Sequence, residues 1–187
     1  MPVAANAAKT ATDSNSPPTV SPTPVTEIAN VPVTVEPVNT TSAEKTRSVT
    51  VKAKDMTAAP GRELKLEIEL TTIEDLGAVS FTLNFDPAVF KYVSSAISPT
   101  APKSAVLSVN DLQTSTGKLG ALVDTTTAFP KGKHTIMTVV FQVMPGSAAG
   151  EYEFTFGSKP AIQSVSTIKG SLVEAGFLPG KVRVAPR

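Results

Sequence analysis

The fold is decided by the stretch from Gly77 to Val93, which reads GAVSFTLNFDPAVFKYV. Its first half alternates strictly: the apolar positions are Val79, Phe81, Leu83 and Phe85, and the polar positions between them are Ser80, Thr82 and Asn84. Successive side chains of a strand point to opposite sides, so this pattern predicts a strand with one buried face. Asp86-Pro87 ends it, because proline has no amide hydrogen to donate and Asp favours turns. A return strand follows, with Phe90 and Val93 packed under the corner.

The same period of two recurs through the chain from residue 48 onward. The segment from His134 to Val143 has few polar positions, which predicts a strand covered on both faces. Asp55–Gly61 and Ser94–Lys103 contain prolines and are predicted to be a turn and an irregular connection. The remaining predicted strands are Val49–Ala53, Glu63–Leu70, Ala105–Val109, Lys118–Asp124, Glu151–Phe156, an edge strand within Ala161–Ile168, and Lys181–Val184.

Short strands at this spacing, without a helical pattern, predict an all-β fold. The first choice is an antiparallel two-sheet β-sandwich of about nine strands, and a small barrel is the alternative. The portion from 47 to 187 has the usual size of one domain with its own core, about 140 residues.

Residues 1–46 differ in composition, because they hold seven of the 16 prolines and no aromatic residue. Such a segment cannot build a core, so we expect a disordered Pro/Ser/Thr-rich linker. Tracts of this kind commonly tether secreted or surface modules. The start lacks the basic end and apolar stretch of a secretory signal, so the chain is either cytoplasmic or a mature fragment. We favour a mature fragment of a secreted or cell-surface protein.

Composition excludes several function classes. A net charge of +1 offers no electrostatic basis for binding nucleic acid. The sequence contains no run of 18 apolar residues, so it predicts no transmembrane segment. With no cysteine and one histidine, disulfides and the usual zinc ligand sets are excluded. We predict that His134 is a surface residue and that Glu67 and Glu69 are solvated, so the sequence predicts no enzyme, no metal site and no cofactor.

Two segments together resemble a cohesin domain: Gly61–Ile68, GRELKLEI, and Leu76–Val93, LGAVSFTLNFDPAVFKYV. The shared pattern is a strand after a Pro-Gly turn, a loop, and a Phe-x-Leu-x-Phe/Tyr-Asp-Pro strand end with an apolar residue three positions later. The resemblance extends over residues 48 to 185.

This resemblance implies a nine-stranded jelly-roll sandwich that binds a dockerin module, commonly in assemblies of polysaccharide-degrading enzymes. It also implies that the recognition face is the outer side of the sheet that contains the predicted strand Val79–Phe85. Known dockerin binders carry Asn and Asp near Ala78 and Ser80, where this chain has small side chains. The candidate partner-binding residues are Ala78, Ser80, Thr82, Asn84, Lys118, Gly120 and Leu122.

Two other functions remain open from the sequence. A carbohydrate-binding module would use aromatic rings against the sugar, and Tyr92 and Tyr152 are the available tyrosines. A structural spacer domain of an adhesin or envelope protein would bind nothing. The expected partner is therefore a dockerin-like protein or a polysaccharide, and the module is predicted to be monomeric.

Overall fold

A computed structural model describes residues 48–186, and the predicted linker lies outside the described residues. The described chain forms thirteen strands and a 3-10 turn at Thr114–Thr116. The strands are β1 (Val49–Ala53), β2 (Met56–Ala58), β3 (Glu63–Thr72), β4 (Leu76–Asn84), β5 (Phe90–Ile97), β6 (Val106–Asn110), β7 (Lys118–Asp124), β8 (Gly132–Val143), β9 (Gly150–Gly157), β10 (Ser164–Thr167), β11 (Leu172–Val173), β12 (Gly176–Leu178) and β13 (Gly180–Val184).

The strands form two sheets, which confirms the predicted sandwich over the barrel. The smaller sheet has five strands in the order β12-β1-β3-β8-β5. The larger has eight, in the order β11-β10-β4-β9-β13-β2, and β7 and β6 extend it beyond the other edge of β4. Most pairs are antiparallel, but β1 pairs with β12 and β2 pairs with β13 in parallel.

The strand β4, from the alternating half of the Gly77–Val93 segment, lies inside the larger sheet, as its pattern predicts. Val79, Phe81 and Leu83 on β4 are fully buried between the sheets. One edge of β4 pairs with β7 along seven residues, and the other edge pairs with β10 and then with β9. The corner that follows is closed by the Asp86 carboxylate, which accepts a hydrogen bond from the Ala88 amide at 2.9 Å.

Aromatic side chains fill the space between the sheets. Phe85 lies edge-on to Phe141, with ring centroids 4.8 Å apart, and Phe90 lies 4.8 Å from Phe154. Offset and edge-on arrangements of this kind are the favoured ones for aromatic pairs. The corner after β4 is therefore joined to both sheets through ring contacts.

Several predicted segments differ from the structure. The turn predicted at Asp55–Gly61 contains β2, whose hydrogen bonds go to β13, a strand that a local pattern cannot identify. The connection predicted after Val93 continues β5 to Ile97, because β5 pairs with β8 through a register shift between Tyr92 and Ser94. That shift leaves Val93 half-exposed, so only Phe90 packs under the corner.

The strand β8 also differs from its prediction. It pairs with β3 and β5 along its two edges, but from Met137 to Val143 only one face is buried, and Val140 on the other face is half-buried. The predicted edge strand starts at Ser164, not Ala161, and Ile162 is exposed.

His134 is less exposed than predicted, and its environment makes folding sensitive to pH. Its ring stacks on Phe129 with centroids 6.0 Å apart, and both ring nitrogens are buried without a well-aligned hydrogen bond to any described residue. Burial lowers the pKa of this imidazole, and the nearby Gly132 backbone offsets only part of that effect. The folded state therefore favours the neutral ring.

We expect stability to fall on acidification through the ordinary histidine pKa, about 6.5, because the unfolded chain then binds a proton that the folded domain resists. The stabilisation is complete above that pH and is lost as the pH falls toward the lowered pKa. Urea denaturation of the wild type and His134→Gln between roughly pH 7.5 and 5.5 measures this. The variant should lose less stability over that interval. Equal losses would contradict a buried neutral ring.

Candidate partner-binding site

The predicted recognition surface lies on the outer side of the larger sheet, and cross-strand pairing arranges its outward residues in rows. The register of β6, β7, β4, β10 and β9 defines four such rows. They contain, in order, Val106, Asp124, Ala78 and Ser166; Ser108, Leu122, Ser80 and Ser164; Asn110, Gly120, Thr82 and Gly157; and Lys118, Asn84 and Thr155. We call this surface the outer face.

The second row places one large apolar residue among small hydroxyl side chains. Leu122 is 38% exposed and pairs with Ser80 on one side and Ser108 on the other. Val106, also exposed, is a diagonal neighbour of Leu122 across the β6–β7 pair. Diagonal neighbours lie about 7–8 Å apart, so the two form a small apolar area with hydrogen-bonding groups around it.

The third row is covered by the chain itself. The hydroxyl of Thr82 donates to the carbonyl of Ala161 at 2.7 Å and accepts from the Ala161 amide at 2.9 Å. Gly120 lies under the same segment, since a Cβ at this position would be 3.1 Å from Pro160 and 3.3 Å from Ala161. We call residues 158–163 the crossing segment. Because it buries them, Thr82 and Gly120 are not available to a partner.

The fourth row is open and basic. The Asn84 amide donates to the Thr155 hydroxyl at 3.3 Å, and the exposed Lys118 lies beside it. A shallow depression there is lined by both residues and by Lys159. Among the described residues, no acidic side chain forms an ion pair with Lys118 or Lys159. The outer face thus retains Ala78, Ser80, Asn84, Lys118 and Leu122 of the seven predicted residues.

The two tyrosines proposed for sugar binding lie against core aromatic residues. Tyr92 on β5 contacts Phe141 with centroids 6.3 Å apart, and Tyr152 on β9 contacts Phe90 at 5.7 Å. The Tyr152 hydroxyl donates to the Ala148 carbonyl at 3.0 Å. Both rings are half-buried and lie on different sheets, so they do not form one flat platform.

Two of the three acidic residues of β3 form ion pairs. Glu67 pairs with Lys54 at 2.8 Å, and Glu69 pairs with Lys133 at 2.9 Å. Glu69 is buried rather than solvated, which the alternating pattern did not indicate. Residues 48–186 contain no group of three His, Asp or Glu side chains placed to hold a metal ion. Within the same residues, no helix has the length and apolar character needed to cross a membrane.

Comparison with known proteins identifies the family. The cohesin domain profile matches residues 49–174, most of the chain. A search of curated proteins found no match.

Solved structures with the same fold include three cohesin examples. The seventh ScaB type I cohesin from Pseudobacteroides cellulosolvens is 17% identical with a TM-score of 0.62, over 74% of this chain and 93% of that one. A chain of a type I cohesin–dockerin complex from Clostridium thermocellum is 15% identical with a TM-score of 0.64, over 74% and 99%. A non-cellulosomal cohesin from Archaeoglobus fulgidus is 12% identical with a TM-score of 0.61, over 74% and 92%.

The profile match covers the strands from β1 to β11 and includes all of the outer face. The solved structures agree with the two-sheet sandwich found here. The chain belongs to the cohesin domain family.

Proposed function

We propose that this domain is a non-catalytic module that binds a dockerin through its outer face. The observation that carries the proposal is the cohesin domain match over residues 49–174. Related folds were solved as cohesin–dockerin complexes in Clostridium thermocellum and with a Cel5 dockerin in Acetivibrio cellulolyticus. We extend that type of partner to this chain.

The chemistry of the outer face supports a protein partner. Specific interfaces place an apolar residue at the centre and polar groups around it. Leu122 has this setting, with the hydroxyls of Ser80, Ser108 and Ser164 near it and the basic depression beyond the crossing segment. Short polar side chains also let a partner's backbone or helix approach the sheet closely.

We further propose that the module acts outside the cell, on a secreted or cell-surface protein, in an assembly that gathers polysaccharide-degrading enzymes. The family membership and the Pro/Ser/Thr-rich composition of residues 1–46 support this location. In such an assembly the domain itself performs no reaction, and its partner supplies the enzyme.

The test is selection of binders from a displayed library of dockerin modules, followed by calorimetric titration. We expect at least one dockerin to bind, and Leu122→Arg to weaken that binding by at least about tenfold, because a charge then replaces a central apolar contact. The matched control is Leu178→Arg, since Leu178 is 46% exposed but lies on β12 of the smaller sheet. Equal effects of the two substitutions would contradict the outer face as the site.

The carbohydrate-binding and spacer functions predict different experimental results. A carbohydrate-binding module would be retained on insoluble polysaccharide and released by Tyr92→Ala or Tyr152→Ala. A spacer domain would show no rise in melting temperature with any dockerin, since only a ligand that binds the native state stabilises it. Either outcome, without dockerin binding, would reject the proposal.

A further inference from the structure

The crossing segment changes what a partner would meet on the outer face. Between β9 and β10 the chain leaves the edge of β4, passes over the third row, and returns to that edge. Gly157 pairs with Thr82 before the excursion, and Ser164 pairs with Ser80 after it. Both ends of the crossing segment are therefore held by the same central strand.

The middle of the crossing segment is fixed as well. Thr82 bonds both the amide and the carbonyl of Ala161, which is the way a neighbouring strand would satisfy them. The absence of a side chain at Gly120 gives Pro160 and Ala161 room to lie against β7. Opening the segment would exchange both hydrogen bonds for bonds to water, and each intramolecular bond gives the closed arrangement a modest net stabilisation. The crossing segment therefore forms an anchored ridge on the outer face.

The ridge carries a large apolar side chain into solvent. Ile162 follows the anchored Ala161 and is 65% exposed. It lies where the chain passes from the third row, which Ala161 covers, to the second row, where Ser164 pairs with Ser80. The second row also contains Leu122. Ile162 therefore lies two residues before Ser164, and only Ser80 separates Ser164 from Leu122 in that row.

We propose that the crossing segment is a fixed part of the recognition surface and that Ile162 contacts the partner and helps to determine its specificity. This inference rests on the proposed dockerin binding. A flat partner surface that fits the strands alone would collide with the ridge. The matching dockerin therefore needs an apolar recess opposite Ile162, in addition to the position that contacts Leu122. The chain thereby selects among dockerins by shape as well as by the residues of β4 and β7.

The test compares Ile162→Asp with Ile73→Asp, using a dockerin selected from the library against the wild type. Ile73 is a close match because it is also an isoleucine and is 66% exposed, but it lies between β3 and β4 and belongs to none of the four rows. We expect Ile162→Asp to weaken binding by at least about tenfold and Ile73→Asp by less than about twofold, both with unchanged melting temperatures. That result supports the inference.

Two other outcomes overturn it and are distinguishable. If Ile162→Asp binds like the wild type while Leu122→Arg does not, the ridge makes no contact and the dockerin proposal stands. If no library dockerin binds the wild type, the proposed function fails and the inference fails with it.

Discussion

Replacing Phe81 with alanine is expected to destabilise the domain by about 3–5 kcal/mol. Phe81 is fully buried at the centre of β4, and its ring lies edge-on to Phe156 with centroids 5.1 Å apart. The substitution removes the ring from a close-packed interior and leaves a cavity that the two hydrogen-bonded sheets cannot close. Urea denaturation monitored by circular dichroism measures the loss.

The control for Phe81→Ala is Ser80→Ala, one residue earlier on the same strand and facing outward. It should change stability by no more than about 0.5 kcal/mol, because the site is half-exposed. Thr82→Ala is not a neutral control, since the Thr82 hydroxyl is buried in two hydrogen bonds with Ala161. Similar losses for Phe81→Ala and Ser80→Ala would mean that the inner and outer faces of β4 are assigned incorrectly.

Gly117→Ala is expected to cost at least about 3 kcal/mol, for two reasons that add. Gly117 has φ of 76°, a left-handed conformation that disfavours any side chain. A Cβ would also overlap the carbonyl oxygen of Phe85 and approach Pro87 Cδ to 2.9 Å. Backbone atoms cannot yield easily here, because the Phe85 amide donates to the Gly117 carbonyl at 2.9 Å.

Gly61→Ala separates the cost of the left-handed conformation from the cost of the steric overlap. Gly61 has nearly the same φ, 78°, but a Cβ there would have no atom within 4 Å. We expect it to cost only about 1–2 kcal/mol, the conformational part alone. Thermal denaturation of both variants gives the difference. If Gly61→Ala and Gly117→Ala are equally destabilised, the close approach of Gly117 to the corner after β4 is not a determinant of stability.

The sequence could predict the sandwich because alternation records which side of a strand is buried. Phe81 and Leu83 show this, since a one-residue shift in register would move both to solvent. The strands β2 and β12 could not be predicted in this way. Each has three residues, too few for a period to be visible, and each is formed by parallel pairing with a distant strand.

The outer face was predictable only in part. The resemblance to cohesins predicted that Leu122 and Ser80 lie on the outer side of the larger sheet, where the structure has them, but it could not indicate that Thr82 is covered. The cover is a contact between residues 79 positions apart, and neither Thr82 nor Ala161 carries a local signal of it. Gly120 was the available hint, because a glycine inside a strand often marks the close approach of another chain segment.

The central claim is that a dockerin binds the outer face, and methyl NMR spectra of the domain with and without a selected dockerin test it most directly. Leu122 and Val106 report on the outer face, and Leu178 and Val93, also exposed, report on the smaller sheet. We expect the methyl resonances of Leu122 and Val106 to shift on binding while those of Leu178 and Val93 stay in place. Shifts confined to Leu178 and Val93 would contradict the claim and place the partner on the opposite sheet.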